Sequence, residues 1–176
     1  LLPSWAGNAG AFAREFGASP VQEGALGARV EITGQVLDGT GAAVRDALIE
    51  CWQADAAGCF PGEPGADPAV TGFARLAIDR DSATYRLRTV RPGPVAMPDG
   101  RVQSPHVALW IVARGINTGL MTRLYFEDAD RDADPVLSRI EHRARVETLI
   151  ARPQGAGRYR FDIRLQGPGE TVFLDI

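Results

Sequence analysis

Residues able to carry catalysis are few in this chain, and their spacing excludes most kinds of chemistry. There are two histidines, His106 and His142, three tyrosines, Tyr85, Tyr125 and Tyr159, and two cysteines, Cys51 and Cys59. No CxxC pair occurs and neither cysteine has a histidine at zinc spacing, so both are expected to be free thiols, the usual cytosolic state. Asp128, Asp130, Asp132 and Asp134 alternate with Ala and Arg in a way a calcium loop could use, but the Gly and the closing Glu of an EF-hand are missing. A solvated loop leading into a helix start is the expectation there. No Gly-x-Ser-x-Gly elbow and no Gly-x-x-x-x-Gly-Lys-Ser/Thr loop is present, which removes the parts for acyl transfer and for P-loop phosphate binding. The three tyrosines fall in strand-like patterns and read as packing residues with a hydroxyl at the edge. His142 falls near the end of a candidate helix, where a cation suits the dipole, and reads as a surface residue. His106 is left, in Pro105-His106-Val107-Ala108.

The elements that must position these side chains are mostly strands. The stretch 30–37 alternates apolar and polar residues, the period of a half-buried strand, and Asp38-Gly39-Thr40-Gly41 after it reads as a turn. Further strands are expected at 47–53, 84–90, 106–114, 120–126, 159–165 and 171–176, and loops at 67–73 and 96–103. Two helical pieces are expected. One is an Ala-rich stretch at 8–16. The other has Asp134 as N-cap, Pro135 as first residue, and Val136, Leu137 and Ile140 on one face. Trp52 and Trp110 lie in strand patterns and read as core. Many short strands punctuated by Gly and Pro predict an all-β, two-sheet sandwich with short helices in its connections, occupying 30–176 behind an N-terminal arm at 1–29.

At 176 residues the chain suits one domain with a core of its own. No apolar run approaches the roughly 20 residues of a membrane span, and no signal-peptide pattern is visible at the start, which is Leu1 rather than Met. A cytoplasmic protein is expected. All basic residues are Arg, scattered along a chain of net charge −3, which argues against a nucleic-acid footprint.

Strand, Asp-Gly turn and strand describe many sandwiches, non-enzymatic binding modules included. Read in order, however, the segments resemble the intradiol ring-cleaving dioxygenases. The stretch 44–58, ending Cys51-Trp52-Gln53-Ala54-Asp55-Ala56-Ala57-Gly58, is similar to a strand and turn of that family. Val90-Arg91-Pro92-Gly93-Pro94 and Ser104-Pro105-His106-Val107 fall where the family has its iron-binding loop and strand. Ala113-Arg114-Gly115-Ile116-Asn117, Arg123-Leu124-Tyr125-Phe126, the stretch 159–167 and Gly169-Glu170-Thr171-Val172-Phe173 resemble the α chains of the protocatechuate-cleaving members.

That resemblance implies a prealbumin-like sandwich and a complex of α and β chains. Only the β subunit of such a complex keeps all four ligands, two Tyr and two His, to Fe(III). The pair cleaves protocatechuate with O2 to 3-carboxy-cis,cis-muconate, a step of the β-ketoadipate pathway, in a higher-order (αβ)n assembly. The family's first Tyr follows an Ala-x-Gly turn, and Phe60 stands at that place here. The second follows Pro-Gly-Pro, where Val95 stands, and the His-x-His pair is reduced to His106 with Ala108. An Arg that catalytic chains carry three residues before the first His is Gln103. The chain is therefore expected to bind no iron and to be inactive alone, with His106 as a hydrogen-bonded relic. Arg114 is the candidate for reaching the partner's site, and the arm at 1–29 is expected to pack on the partner.

Overall fold

A computed structural model describes residues 17 and 19–175 of the chain. The expected helix at 8–16 lies outside them. Two four-stranded sheets face each other. In the first, β1 (Arg29–Gly34) is flanked by antiparallel β5 (Tyr85–Val90) and by parallel β11 (Arg158–Arg160), with the short β10 (Arg152–Pro153) at the edge. The second has the order β4 (Phe73–Ala77), β3 (Leu48–Trp52), β8 (His106–Val112) and β9 (Leu120–Tyr125), antiparallel throughout. Alternation along each strand sends one set of side chains inward. Ile32, Leu87 and Tyr85 from the first sheet meet Ile49, Cys51, Leu76, Leu109, Ile111 and Leu124 from the second in one buried cluster. Fully burying each Leu or Ile contributes about 1.5–3 kcal/mol, so this interior holds the sandwich together. Among the described residues, no helix is long and apolar enough to cross a membrane.

Several local expectations are corrected. The stretch 30–37 is two strands, β1 and β2 (Val36–Leu37), and the stretch 159–165 is likewise β11 and β12 (Ile163–Arg164). The parallel register runs unbroken across the gap, from Thr33 opposite Arg160 to Val36 opposite Ile163. At the break the Asp162 side chain takes the Gln35 N–H at 2.8 Å. A strand left unread, β4, fills the region after 67–73, and the expected loop at 96–103 holds a hairpin of β6 (Val95–Ala96) and β7 (Val102–Gln103). The segment 171–175 forms no strand, although Leu174 N–H reaches Met121 O at 2.8 Å. The helix expected from Asp134 is one 3-10 turn, Leu137–Arg139, followed by a second, Arg143–Leu149. Asp134 still caps it, its Oδ1 accepting the N–H groups of Val136 and Leu137 at 2.8 and 2.9 Å. Ile140 then turns to extended backbone, which stops propagation.

Two readings of surface character also change. Trp52 and Trp110 are not core: they are 41% and 37% exposed, on the outer face of the second sheet. The arginines are scattered in sequence but not in space. Alternation places Arg86, Arg88, Arg158 and Arg160 on the outer face of the first sheet around Glu31, whose carboxyl Arg88 and Arg86 hold below its ordinary range by hydrogen bonds. The described part of the arm lies against its own sandwich, Val21 and Ala25 packing with Val70 and Val90.

Candidate functional site

Four segments meet at one end of the second sheet, and the first three carry the positions that the resemblance assigns to iron ligands. The first is the loop after β3. Asp55 is buried there, and its carboxylate accepts N–H groups from Ala57 (2.8 Å), Cys59 (2.9 Å) and Asp67 (2.8 Å). Burial pushes this carboxyl up, but backbone donors outweigh it and leave it below the usual range. The loop so fixed presents Phe60, whose ring stacks on Trp52 with centroids 6.0 Å apart and planes within 1°. The second segment is the Pro-Gly-Pro loop. Gly93 N–H donates to Asp55 O at 2.8 Å, which ties this loop to the first. It leads into Val95, buried and paired with Gln103 across the β6–β7 hairpin.

The third segment joins β7 to β8. Ser104 N–H donates to Asp134 Oδ2 at 2.7 Å, and the Ser104 carbonyl stands 2.8 Å from His106 Nδ1. A carbonyl only accepts, so Nδ1 carries the proton. The ring is buried and tilts against Tyr125, with which His106 pairs across β8 and β9. Burial above all, and then the cation of Arg123, lower the His106 pKa to about 4, against opposing contributions from Ser104 and Asp134. The imidazole is therefore neutral at pH 7. Burial likewise pushes the Tyr125 hydroxyl up, so it remains a phenol.

The fourth segment is β9. Ala108 lies between Trp52 on one neighbouring strand and Arg123 on the other. The Arg123 guanidinium donates through Nη1 to Gln103 Oε1, and to the Tyr125 hydroxyl at 3.5 Å. Its Nε is the one buried side-chain N or O atom without a hydrogen-bond partner among the described residues.

This donor set does not fit a ferric ion. Phe60, Val95 and Ala108 carry no donor atom, and a cation stands beside the one imidazole. Among the described residues no group of three or more His, Cys, Asp or Glu could hold a metal ion.

The other candidates lie apart from this cluster. Arg114 follows β8 at its opposite end, six residues beyond Ala108, or about 20 Å along a strand. It is 89% exposed, with Nε 3.0 Å from Asp46 Oδ2. His142 is exposed and precedes the second 3-10 turn, rather than ending a helix. The aspartates do not converge: Asp128 pairs with Arg91, Asp132 pairs with Arg143 and Asp134 is buried. Cys51 and Cys59 are free, Cys51 buried with its thiol pushed up to about 12. Tyr85 and Tyr125 are buried, while Tyr159 packs edge-on to Phe126.

Sequence reasoning missed Arg123 and Asp55 as parts of the site. Asp55 had a local signal, an Asp ahead of Ala-Ala-Gly in a turn. Arg123 had none, because its neighbours Ala108 and Gln103 come from other strands.

Comparisons with known proteins bear on the family and the fold. A family model described as dioxygenase matches residues 3–167. The protocatechuate 3,4-dioxygenase alpha chain of Pseudomonas putida is 46% identical over 156 residues, covering 86% of this chain and 78% of that one. The corresponding beta chain of Burkholderia cepacia is 33% identical over 163 residues, covering 83% and 68%. Among solved structures, the dioxygenase domain of a carbohydrate-binding fusion protein from Streptomyces sp. SirexAA-E superposes with a TM-score of 0.63 at 22% identity, covering 86% of this chain and 88% of that one, a likeness of fold. With its family model, its sandwich and these relatives in accord, the chain belongs to the intradiol dioxygenase family.

Proposed function

We propose that this chain is the non-catalytic α subunit of a protocatechuate 3,4-dioxygenase, working in a cytoplasmic αβ complex whose Fe(III) is bound by the β subunit. The complex cleaves protocatechuate between its two hydroxyls with O2 and gives 3-carboxy-cis,cis-muconate. The observation that carries this reading is the donor-free set Phe60, Val95 and Ala108 in a chain 46% identical to a named alpha chain. A chain that keeps the fold and lacks the ligands contributes through its interfaces. The arm at 1–29, whose described part also lies against its own sandwich, contributes to the contact with the β subunit, and (αβ) units associate further.

In this reading Arg114 reaches the partner's substrate cavity and helps to hold the protocatechuate carboxylate, directly or through water. Its exposure fits that role, since only one carboxylate, Asp46, engages it among the described residues. A guanidinium suits a carboxylate because its fixed N–H fork matches the two oxygens.

The test is O2 uptake with protocatechuate, using the chain alone and then co-purified with an iron-bearing β chain. Turnover in the complex and none by the chain alone is expected, and turnover by the chain alone overturns the reading. In the complex, Arg114→Ala raises KM for protocatechuate while the iron content stays unchanged. An unchanged KM removes Arg114 from the role.

A further inference from the structure

We propose that Arg123 is the resident cation of the former iron pocket: its guanidinium stands in for the metal's charge and bars metal ions from the site. This rests on the family reading, which maps the ligand positions, but not on the existence of a partner chain.

Three observations carry it. Arg123 lies directly across the strand pair from Ala108, the position of the lost second histidine. Cross-strand side chains stand about 4.5–5.5 Å apart at Cβ, so the methyl of Ala108 leaves the volume that the Arg123 stem uses. Next, the guanidinium is held by Gln103, which stands where catalytic chains carry Arg. The exchange is chemically consistent, because an amide oxygen accepts from Arg123 whereas an arginine at 103 would only repel it. Third, the guanidinium has no direct acidic partner: the buried Asp134 carboxylate is reached only through the Tyr125 hydroxyl, which donates to it at 3.4 Å. No carboxylate makes an ion pair with Arg123 among the described residues, and the buried Nε has no partner. An approaching metal ion therefore meets an N–H donor and a like charge in place of a lone pair.

Restoring ligands alone consequently fails. The test uses Phe60→Tyr, Val95→Tyr and Ala108→His together, with Arg123 kept, changed to Gln or changed to Lys. Each protein is incubated with ferrous ammonium sulfate in air, desalted and assayed for iron per chain and for tyrosinate-to-iron absorption in the visible range. Circular dichroism confirms that each variant is folded. At least about tenfold more iron is expected with Arg123→Gln than with Arg or Lys, because only Gln removes the like charge. Equal iron in all three, or none in any, overturns the proposal.

Should the combined ligand variant fail to fold, Ala108→His by itself restores the His-x-His pair. Titration with Cu2+ is then compared with Arg123 kept and with Arg123→Gln added. A dissociation constant lower by roughly tenfold without the arginine is expected, and an unchanged constant overturns the proposal. Iron content separates this inference from the α-subunit reading, which fails instead by the absence of a complex with a β chain.

Discussion

Gly58 faces Pro94 so closely that a Cβ at Gly58 would lie 1.9 Å from the Pro94 carbonyl oxygen. This approach, on top of the Gly93 N–H bond to Asp55 O, clamps the loop bearing Phe60 to the loop bearing Val95. Gly58 also has φ +88, which disfavours any side chain. Gly58→Ala is therefore expected to cost about 3 kcal/mol or more, with a clash added to backbone strain. Gly62→Ala is the control: φ is +92 but nothing lies within 4 Å of a Cβ, so strain alone, about 1 kcal/mol, is expected. Urea midpoints of the two variants check this, and equal losses would remove the clamp.

His106 makes stability depend on pH. Its folded pKa is lowered from 6.5 to about 4 by burial and by Arg123. As pH falls below about 6.5 the unfolded chain takes up this proton and the folded chain does not. Stability is thus fully present above that pH and is lost progressively as pH falls through about 4, by on the order of 3 kcal/mol. Denaturant midpoints of the parent and of His106→Gln at pH 7.5 and 4.5 measure it. Parallel losses in both proteins would mean that other groups carry the acid sensitivity.

Asp134 is buried, and its carboxylate collects the N–H groups of Ser104, Val136 and Leu137. It thereby joins the strand entering His106 to the turn after β9. Asp134→Ala leaves these three N–H donors and the Tyr125 hydroxyl without their acceptor and is expected to cost about 3–5 kcal/mol, and Asp134→Asn less, because an amide oxygen still accepts. Calorimetric melting of both variants checks the order, which a site tolerant of Ala would reverse.

Trp52 and Trp110 occupy exposed positions on the outer sheet face, with Phe60 stacked on Trp52. Tryptophan is enriched at contact surfaces and among the residues that carry their binding energy. Trp110→Ser is expected to change the stability of the isolated chain by less than about 1 kcal/mol, yet weaken co-assembly with a β chain by roughly tenfold or more. Sedimentation of the mixed chains at a series of concentrations reads the second number. Unaltered assembly would place the partner on another face.

The two cysteines report on the core. Cys51 is buried with its thiol pushed up to about 12, whereas Cys59 is half-buried in the loop before Phe60. A thiolate reagent at pH 8 is expected to modify Cys59 in the folded chain and to reach Cys51 only after unfolding. Mass spectrometry of the labelled peptides decides it, and early labelling of Cys51 would show that the second sheet opens.

The sequence by itself determined the sandwich class and most strands, because alternation and side-chain chemistry are local. The side chains of Phe60, Val95 and Ala108 lack donor atoms in any fold. It also located the cap at Asp134, since an Asp ahead of Pro is a local start signal. It could not say how far that turn would propagate, which depends on Ile140 adopting extended backbone. The tertiary structure decided which face of each strand is buried. In β8 the run His-Val-Ala-Leu-Trp-Ile-Val is apolar on both faces, so period alone leaves Trp110 free to point either way. Pairing with β3 and β9 turns Val107, Leu109 and Ile111 inward, and Trp110 outward. The β8–β9 pairing also sets Arg123 beside Ala108, and in the other sheet the pairing of β1 with β5 and β11 gathers Arg86, Arg88, Arg158 and Arg160 on one face. Such neighbours are made by strand register between segments far apart in the chain, and no window of sequence contains them.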